Sequence, residues 1–301
     1  MDDFFKYLTV GDEIKDWGLF LNVAGKSKIS GHIKYPSNDH PSGYYFDWDN
    51  GRVLQEYQIN YITDGSGVLE TEKGRYNILP GTLIITRKDQ WHRYKPTKGE
   101  GWTEHYIGFD GDVANRLFAA SNALGERAIL HCGIWEELID TYYKIFVLVI
   151  DEPPGYQEIA SGLVLKLLGH IVAFQKQKGF LGKPIEKVIQ KARLLIREKL
   201  SAEIDVNQLA AEFNLGYSYF RKMFKKYTGV SPHQYHLDLR MLQAKELISM
   251  SDKTIKEISY QLGFSSTHYF SRLFKNKLGV SPNSYRTSVK LQRSSHLNSN
   301  R

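Results

Sequence analysis

VNQLAAEFNLGYSYFRKMFKKYTGVSPHQY (residues 206–235) and IKEISYQLGFSSTHYFSRLFKNKLGVSPNSYR (residues 255–286) are two copies of one pattern. Three residue types recur in them at a spacing of 50: Gly229 and Gly279, Pro232 and Pro282, and Tyr235 and Tyr285. Up to the matching Tyr235 and Tyr285, the copies differ in length by one residue, in the turn. A fixed-period repeat defines the architecture before other signals do, and two copies are too few for a solenoid. We therefore predict a duplicated supersecondary unit.

Each copy predicts a short helix, a tight turn and a second helix. In the second helix, apolar residues at spacings of three and four form one face, and polar and basic residues form the opposite face. The predicted apolar faces are Tyr219, Phe220, Met223 and Phe224, and Tyr269, Phe270, Leu273 and Phe274. A helix buried on one side and offering donors and cations on the other fits the DNA major groove. The alternative, an amphipathic helix with a merely solvated face, is disfavoured by the duplication, the turn and the local charge.

The exposed faces of these two helices carry two kinds of predicted DNA contact. Arginine against guanine is the commonest base contact, whereas lysines near phosphates give affinity without sequence information. The predicted base-facing residues are Ser218, Arg221, Lys222, His268, Ser271 and Arg272. The predicted phosphate contacts are Lys225, Lys226, Lys275 and Lys277. Lys222 is phosphate-seeking by type, although it lies on the base-facing ridge.

The stretch GFSSTHYFSRLFKNKLGVSPNSYR (residues 263–286) resembles the signature of the AraC/XylS family of bacterial transcription regulators nearly position for position. The resemblance extends over about residues 184–286 and implies a DNA-binding domain with two helix-turn-helix units. It further implies a ligand-responsive, sequence-specific regulator, more often an activator, that acts on double-stranded DNA with RNA polymerase. One departure from the family is Gly216-Tyr217, where a Ser-Pro helix start is frequent, so we expect an irregular start there.

Charge is distributed unevenly along the 301 residues, whose net charge is +7. From Lys183 onward there are 21 Lys+Arg and 9 Asp+Glu, a net of +12, and the first 182 residues hold 19 and 24, a net of −5. A basic domain joined to an acidic one is typical of a DNA-binding module with a separate partner domain. The single cysteine, Cys132, excludes an internal disulfide framework. No run of about 20 apolar residues and no signal-peptide layout is present, so we expect a bacterial cytoplasmic protein without a membrane partner.

Residues from about 31 to 111 contain short aromatic and β-branched runs separated by turn signals such as Asp64-Gly65 and Pro80-Gly81. This pattern predicts a β-sandwich or barrel, preceded by an irregular arm over residues 1 to about 30. The stretch GRYNILPGTLIITRKDQWHRY (residues 74–94) resembles the second half of a cupin motif. The predicted fold class is α+β: an N-terminal cupin-like β-barrel with a helical hairpin, and a C-terminal all-α domain of two helix-turn-helix units joined by a linker helix.

The periodicity is helical from about residue 133 to 178, and Pro153-Pro154-Gly155 separates two helices. The predicted apolar stripes are Ile134, Leu138, Tyr142, Ile145 and Val149, and Ile159, Leu163, Lys166, Leu167, His170 and Phe174. This hairpin could pack on the barrel or pair with a second subunit, and the resemblance favours a homodimer. The predicted boundaries are 1–178 for the ligand-binding and dimerisation domain, 179–184 for the linker, 185–301 for the DNA-binding domain, and about 204–229 and 254–279 for the helix-turn-helix units.

Alignment with sugar-sensing members of the resembled family implies an effector pocket in the β-domain. The implied ligand-binding residues are Arg52, Tyr94, Trp102, Glu104 and Tyr106. Trp102, Glu104 and Tyr106 share one face of a strand by alternation. Aromatic rings that stack on a sugar, with a carboxylate and a guanidinium on its hydroxyls, form a carbohydrate site. The alternative assigns the aromatic residues to the core and Glu104 to a structural hydrogen bond.

The competing functional interpretation is a metal-dependent cupin enzyme fused to a DNA-binding domain. Such an enzyme needs two or three histidines and an acidic residue on neighbouring strands. His92 is present, but Tyr61–Gly67 stands where the upstream HxH motif would be. We therefore predict no metal, no cofactor and no catalytic residue, and we interpret His92 as a hydrogen-bonding histidine in the barrel wall.

Overall fold

The computed structural model describes residues 3–32, 35, 47–120, 124, 127–180 and 182–299. The chain divides into two compact units, Met1–Gln175 and Lys176–Arg301. The predicted linker, residues 179–184, lies shortly after this division.

The first unit contains two antiparallel sheets. Their strands are β1 (Phe4–Tyr7), β2 (Phe20–Ile29), β3 (Arg52–Val53), β4 (Tyr57–Gly65), β5 (Gly67–Thr71), β6 (Gly74–Ile78), β7 (Thr82–Thr86), β8 (Trp91–Pro96), β9 (Trp102–Asp110) and β10 (Ile129–His131). The larger sheet has the order β1-β2-β9-β4-β7-β10, and the smaller has the order β3-β8-β5-β6. Over the described residues the two sheets do not join into a closed ring. The cupin-like β-domain is thus confirmed, in its sandwich form.

Helices cover the first unit on one side. They are α1 (Asp12–Asp16), α2 (Asp112–Ala120), α3 (Glu136–Asp151) and α4 (Tyr156–Lys178). Strands β4, β7 and β9 are buried on both faces, because one face meets the smaller sheet and the other meets α3 and α4. Such double burial explains why TLIIT reads as a continuous apolar run instead of an alternating one.

The predicted irregular arm over residues 1 to about 30 is wrong, because β1 and β2 lie there. Strand β2 pairs antiparallel with β9, with Phe20 opposite Asp110 and Ile29 opposite Trp102. Gly25 weakened the strand pattern, but it is required by the partner strand. A Cβ atom at Gly25 would lie 2.5 Å from the ring of Tyr106. The pairing that determines this strand is long-range and leaves little local signal.

The hairpin packs on the larger sheet with one predicted stripe and one different stripe. Leu138, Tyr142, Ile145 and Val149 of α3 are buried as expected. On α4 the predicted stripe is only partly right: Leu167 is buried, and Leu163 and Phe174 pack against the core, but Ile159 is 56% exposed. The buried side also includes Ala160, Val164, Leu168 and Ile171. Helix α4 is also long and apolar enough, by length and composition, to cross a membrane. Its buried residues belong to the core beneath the hairpin, and a core helix meets the same criterion.

The second unit is all-helical. Its helices are α5 (Pro184–Glu198), α6 (Val206–Glu212), α7 (Tyr217–Thr228), α8 (Pro232–Met250), α9 (Ile255–Gln261), α10 (Thr267–Leu278) and α11 (Pro282–Ser299). Helices α6 and α7 form the first helix-turn-helix, α9 and α10 form the second, and α8 joins them. Phe220 and Phe224 lie in one hydrophobic core, and Phe270 and Phe274 lie in a second core of the same design. The duplication predicted from the sequence is therefore present in space.

Matching turns and caps shape the two copies. In each turn one residue is left-handed, Asn214 at φ +56° and Gly263 at φ +75°. Gly229 and Gly279 end the second helix of each copy in the left-handed conformation, as glycine at this position commonly does. Ser231 accepts a hydrogen bond from the Gln234 backbone and caps α8, whose first residue is Pro232.

Candidate DNA-binding surface and effector pocket

The outward faces of α7 and α10 carry the predicted DNA contacts. Their orientation is set by the phenylalanines, which point into the two cores. The predicted base-facing residues all lie away from those cores: Ser218, Arg221, Lys222, His268 and Arg272 are exposed, and Ser271 is half-buried. Spacings of three and four along each helix place them on one side. Each helix therefore presents a contiguous polar and basic surface.

Two tyrosines that were predicted to be buried lie on the surface instead. Tyr219 is 50% exposed and Tyr269 is 42% exposed, at equivalent positions of α7 and α10. Burial is centred on Phe220 and Phe224, so the residue before each pair is turned about 100° away. The Arg272 guanidinium carbon lies 6.0 Å from the Tyr269 ring centroid, which orients the arginine at the surface. The recurrence of an exposed tyrosine at the same place was the signal that the sequence reading missed.

The four predicted phosphate contacts differ in their surroundings. Lys225 and Lys275 occupy equivalent positions and are exposed. Lys226 lies over the Phe180 ring, with Nζ 5.6 Å from its centroid. Lys277 donates a hydrogen bond to the Asp238 carboxylate of α8. The charge of Lys277 is thus partly balanced inside the protein before any phosphate approaches.

The two helices also begin differently. Gly216 precedes α7 and provides no side-chain cap, as expected from the departure noted in the sequence. Ser266 precedes α10, and its hydroxyl accepts a hydrogen bond from the Tyr269 backbone at 3.3 Å. A serine cap satisfies one of the free N–H groups at a helix start.

In the first unit, all five predicted ligand-binding residues lie at the space between the two sheets. Arg52 organises one side of this space. Its Nη2 donates to the Tyr94 hydroxyl at 2.7 Å and to Gln58 Oε1 at 3.1 Å. Its Nε donates to His92 Nε2 at 3.2 Å. The Trp102 and Tyr94 rings lie 5.9 Å apart, and Tyr35 packs against both.

Unsatisfied polar atoms mark this space as a pocket. Eight buried side-chain atoms have no hydrogen-bond partner within the described residues, and four of them lie here: Asn60 Oδ1, Trp102 Nε1, Glu104 Oε2 and the Tyr106 hydroxyl. Each such atom costs about 1–3 kcal/mol when it stays unpaired. Asn60 was not predicted from the sequence, because an amide in a buried strand gives no distinguishing pattern. A ligand with several hydroxyl groups would satisfy donors and acceptors of this kind.

Glu104 has an altered acidity in the pocket. Burial raises its pKa to about 7, against the opposing effects of the Arg52 charge and of a hydrogen bond from Asn60. Its strand neighbour His105 points to the opposite face, where its ring stacks 6.1 Å from that of Phe146 under the hairpin. This alternation agrees with the prediction that Trp102, Glu104 and Tyr106 share one face of the strand.

His92 is engaged by protein groups at both ring nitrogens. Nε2 accepts from Arg52, and Nδ1 lies 3.1 Å from the Gln90 carbonyl, to which it donates. Burial lowers the pKa of His92 to about 3, and the Arg52 charge acts in the same direction, so the ring is neutral. Within the described part of the chain, no group of three metal-ligating side chains occurs.

An open cleft adjoins the pocket at one end of the sandwich. Its walls include Thr71, Trp91 and Arg127. Leu69 and His92 lie both in this cleft and among the residues that surround the buried pocket. The cleft is open to solvent, whereas the four unpaired polar atoms are buried.

Comparisons with known proteins match both units. The model of the AraC-like ligand binding domain matches residues 38–163, and a helix-turn-helix domain model matches residues 209–288. The Msm operon regulatory protein of Streptococcus mutans is 26% identical over 77% of this chain and 84% of its own length. The lactose operon transcription activator of Staphylococcus xylosus is 24% identical over 71% of this chain and 78% of its own length. The HTH-type transcriptional activator RhaS of Escherichia coli is 22% identical over 81% of this chain and 87% of its own length.

Solved structures resemble the second unit. The DNA-binding domain of AdpA in complex with a target DNA is 31% identical, and the match covers 38% of this chain and 98% of that one, with a TM-score of 0.33. A TM-score this low adds nothing to the assignment.

A β-rich effector-binding unit followed by two helix-turn-helix units defines the class of ligand-responsive, DNA-binding transcription regulators. Within that class, the chain belongs to the AraC/XylS family.

Proposed function

We propose that this protein activates a carbohydrate-utilisation operon when a small polyhydroxylated ligand binds between the two sheets of its first unit. The observation that carries the proposal is the set of four buried, unpaired polar atoms beside Arg52 and two aromatic rings. The names of two relatives, an Msm operon regulator and a lactose operon activator, point in the same direction. We favour a sensor over a metal-dependent enzyme, since both ring nitrogens of His92 are engaged by protein groups and it is therefore not free to bind a metal.

The DNA-binding role is divided between the two kinds of contact predicted above. Arg221 and Arg272 read base edges in successive major grooves, and Lys225 and Lys275 bind phosphates. Residues 185–301 form the DNA-binding domain, residues 179–184 form the linker, and residues 1–178 bind effector and dimerise. The protein works in the bacterial cytoplasm and recruits RNA polymerase.

Homodimerisation is assigned to the outward face of the hairpin. Apolar side chains are exposed there at Ile134, Val147, Ile150, Ile159 and Leu165. Exposed apolar patches of this kind mark association surfaces. Sedimentation of Ile159→Asp should give a monomer under conditions in which the wild type is a dimer.

The test of the pocket is Glu104→Gln in the full chain, which keeps the shape and removes the charge. A reporter under a panel of mono- and oligosaccharides identifies the responding sugar, and calorimetry then measures its affinity. At about pH 8, where a carboxyl with a pKa of about 7 is mostly ionised, the variant should lose at least about tenfold in affinity, because hydrogen bonds to a charged acceptor are about twice as strong as neutral ones. DNA binding without effector should be unchanged. Glu13→Gln, an exposed site on α1, is the control.

The acidity of Glu104 gives a second readout. Its folded pKa of about 7 lies above the ordinary 4.5, so its contribution to stability is full below pH 4.5 and is lost as pH rises through 7. The melting temperature of the wild type should fall as pH rises over this range, and the melting temperature of Glu104→Gln should fall less. Unchanged sugar affinity together with an unchanged pH profile would return Glu104 to a purely structural role.

A further inference from the structure

Arg240 joins the two helix-turn-helix units from the middle of α8. It is 5% exposed, although it is charged. Its Nε donates to the Leu200 carbonyl at 2.8 Å, and its Nη2 donates to the Ala202 carbonyl at 2.7 Å. Both carbonyls lie in the loop that leads into α6 of the first helix-turn-helix. Its guanidinium carbon also lies 5.1 Å from the ring centroid of Phe264, in the turn of the second helix-turn-helix. One side chain therefore contacts both reading units.

The two units also touch at the backbone beside this arginine. Gly263, in the turn of the second helix-turn-helix, packs on the Ser201 carbonyl so closely that a Cβ atom there would lie 1.8 Å from the oxygen. The same Cβ would lie 2.9 Å from Arg240 Nη2. The loop before α6, the arginine and the turn before α10 are thus packed into one contact, which we call the Arg240 junction (residues 200–202, 240 and 263–264).

The repeat itself does not require Arg240. His236 bonds the Leu200 carbonyl at 3.0 Å, and its counterpart 50 residues later, Arg286, donates to the Lys253 carbonyl at 2.6 Å. Each of these side chains ties α8 or α11 to the loop before the first helix of its own copy. The counterpart of Arg240 is Lys290, whose side chain is 67% exposed. Lys290 Nζ lies 4.0 Å from the Asp252 carboxylate, in the loop before α9 of its own copy. Arg240 differs in two ways, since it is buried and also contacts Phe264 of the other copy.

Stability alone is a weak reason for such a group. Burial opposes the charge and lowers the pKa of Arg240, and the two hydrogen bonds described above go to neutral carbonyls. Replacing a buried charged group with an apolar one of similar volume is often neutral or stabilising. What a planar guanidinium provides instead is directional bonding, since its N–H groups point along fixed axes.

We propose that Arg240 is a positioning residue that fixes the rotation and distance between α7 and α10, and thereby sets the spacing between the two base elements that one subunit reads. The inference rests on the proposed function, in which both helices enter DNA. With the junction intact, the second helix can reach its bases at one spacing only. With the junction loosened, the α8 connection remains, but neighbouring spacings become accessible.

The experiment compares spacing preference in full-length protein. A binding site is first selected from random DNA with the wild type, and versions are made with one base pair inserted or removed between its two elements. One base pair displaces the second element by about 3.4 Å, so the wild type should bind both altered sites about 30-fold more weakly. Arg240→Met, which keeps length and packing but removes the hydrogen bonds, should narrow this ratio to about threefold or less.

Arg286→Met is the matched control, because it removes an arginine-to-carbonyl bond inside one copy. It should retain the 30-fold preference even if it lowers overall affinity, which a merely structural loss would do. Should Arg240→Met fail to fold, Phe264→Leu loosens the junction from the other side and must show the same relaxation. A Met or Leu variant that folds, binds and keeps the wild-type preference overturns the inference. If the wild type itself selects no two-element site, it is the proposed double reading that fails.

Discussion

The two helix-turn-helix units share their buried residues and differ on their outward faces. Phe220 and Phe224 correspond to Phe270 and Phe274, and all four are buried. On the surface, the pairs diverge: Ser218 and His268, Arg221 and Ser271, and Lys222 and Arg272. Packing constrains buried side chains closely, whereas an exposed side chain is free to follow its binding partner. One scaffold thus presents two different reading surfaces, and the two units are expected to recognise different bases.

The left-handed residue of the turn gives the largest expected difference between the copies. Gly263→Ala places a Cβ against the Ser201 carbonyl at φ +75°, so we expect a loss of about 3 kcal/mol in the free energy of unfolding of the second unit. Asn214→Gly, at the matching position, should change it by less than about 0.5 kcal/mol. Urea denaturation measures both variants. Equal effects would mean that the two turns are under the same constraint.

Base recognition should separate the copies next. Arg272→Ala should cost about 1–3 kcal/mol in binding and relax the preference at one base pair of the second element. Arg221→Ala should do the same at one base pair of the first element. Affinities for a set of sites, each with one base pair replaced, distinguish the two. A uniform loss over all sites would make the arginine concerned a phosphate contact.

The helix caps predict a smaller contrast. Ser266→Ala removes the hydroxyl that caps α10 and should destabilise the protein by about 1 kcal/mol. Gly216→Ser offers α7 the cap that it lacks and should stabilise it by a few tenths of a kcal/mol, since glycine is only slightly worse than serine there. Thermal unfolding reports the sign. The same sign for both variants would contradict the asymmetry.

The smallest effect concerns the lysines. Lys275→Ala should reduce the slope of log affinity against log salt by about 1, because one phosphate contact is lost. Lys277→Ala should change the slope less, because Asp238 already balances that charge. Titrations at several salt concentrations measure both. If Lys277 proves equal to Lys275, the ion pair opens when DNA binds.

The sequence predicted the second unit better than the first, for a physical reason. A helix buries residues that are three and four apart, so Phe220 and Phe224 identify their own face locally. A strand is determined by its neighbours: β2 is recognisable only once Tyr106 of β9 is known to cross Gly25. The same limit applies to the pocket. Glu104 and Arg52 were found through the family resemblance, but Asn60 emerged only when the sheets were seen to face each other.

Strand β9 has a mechanical consequence for the first unit. Glu104 lies on its pocket side and His105 on its hairpin side, where the imidazole stacks on Phe146. Adjacent residues of a strand point to opposite faces, so Glu104 and His105 place the pocket side and the hairpin side on consecutive backbone positions. Strand β9 thus separates the effector pocket from the core beneath the hairpin, and it contributes one side chain to each. A ligand that shifts the β9 backbone at Glu104 would therefore also shift His105 and its contact with Phe146, one peptide bond away.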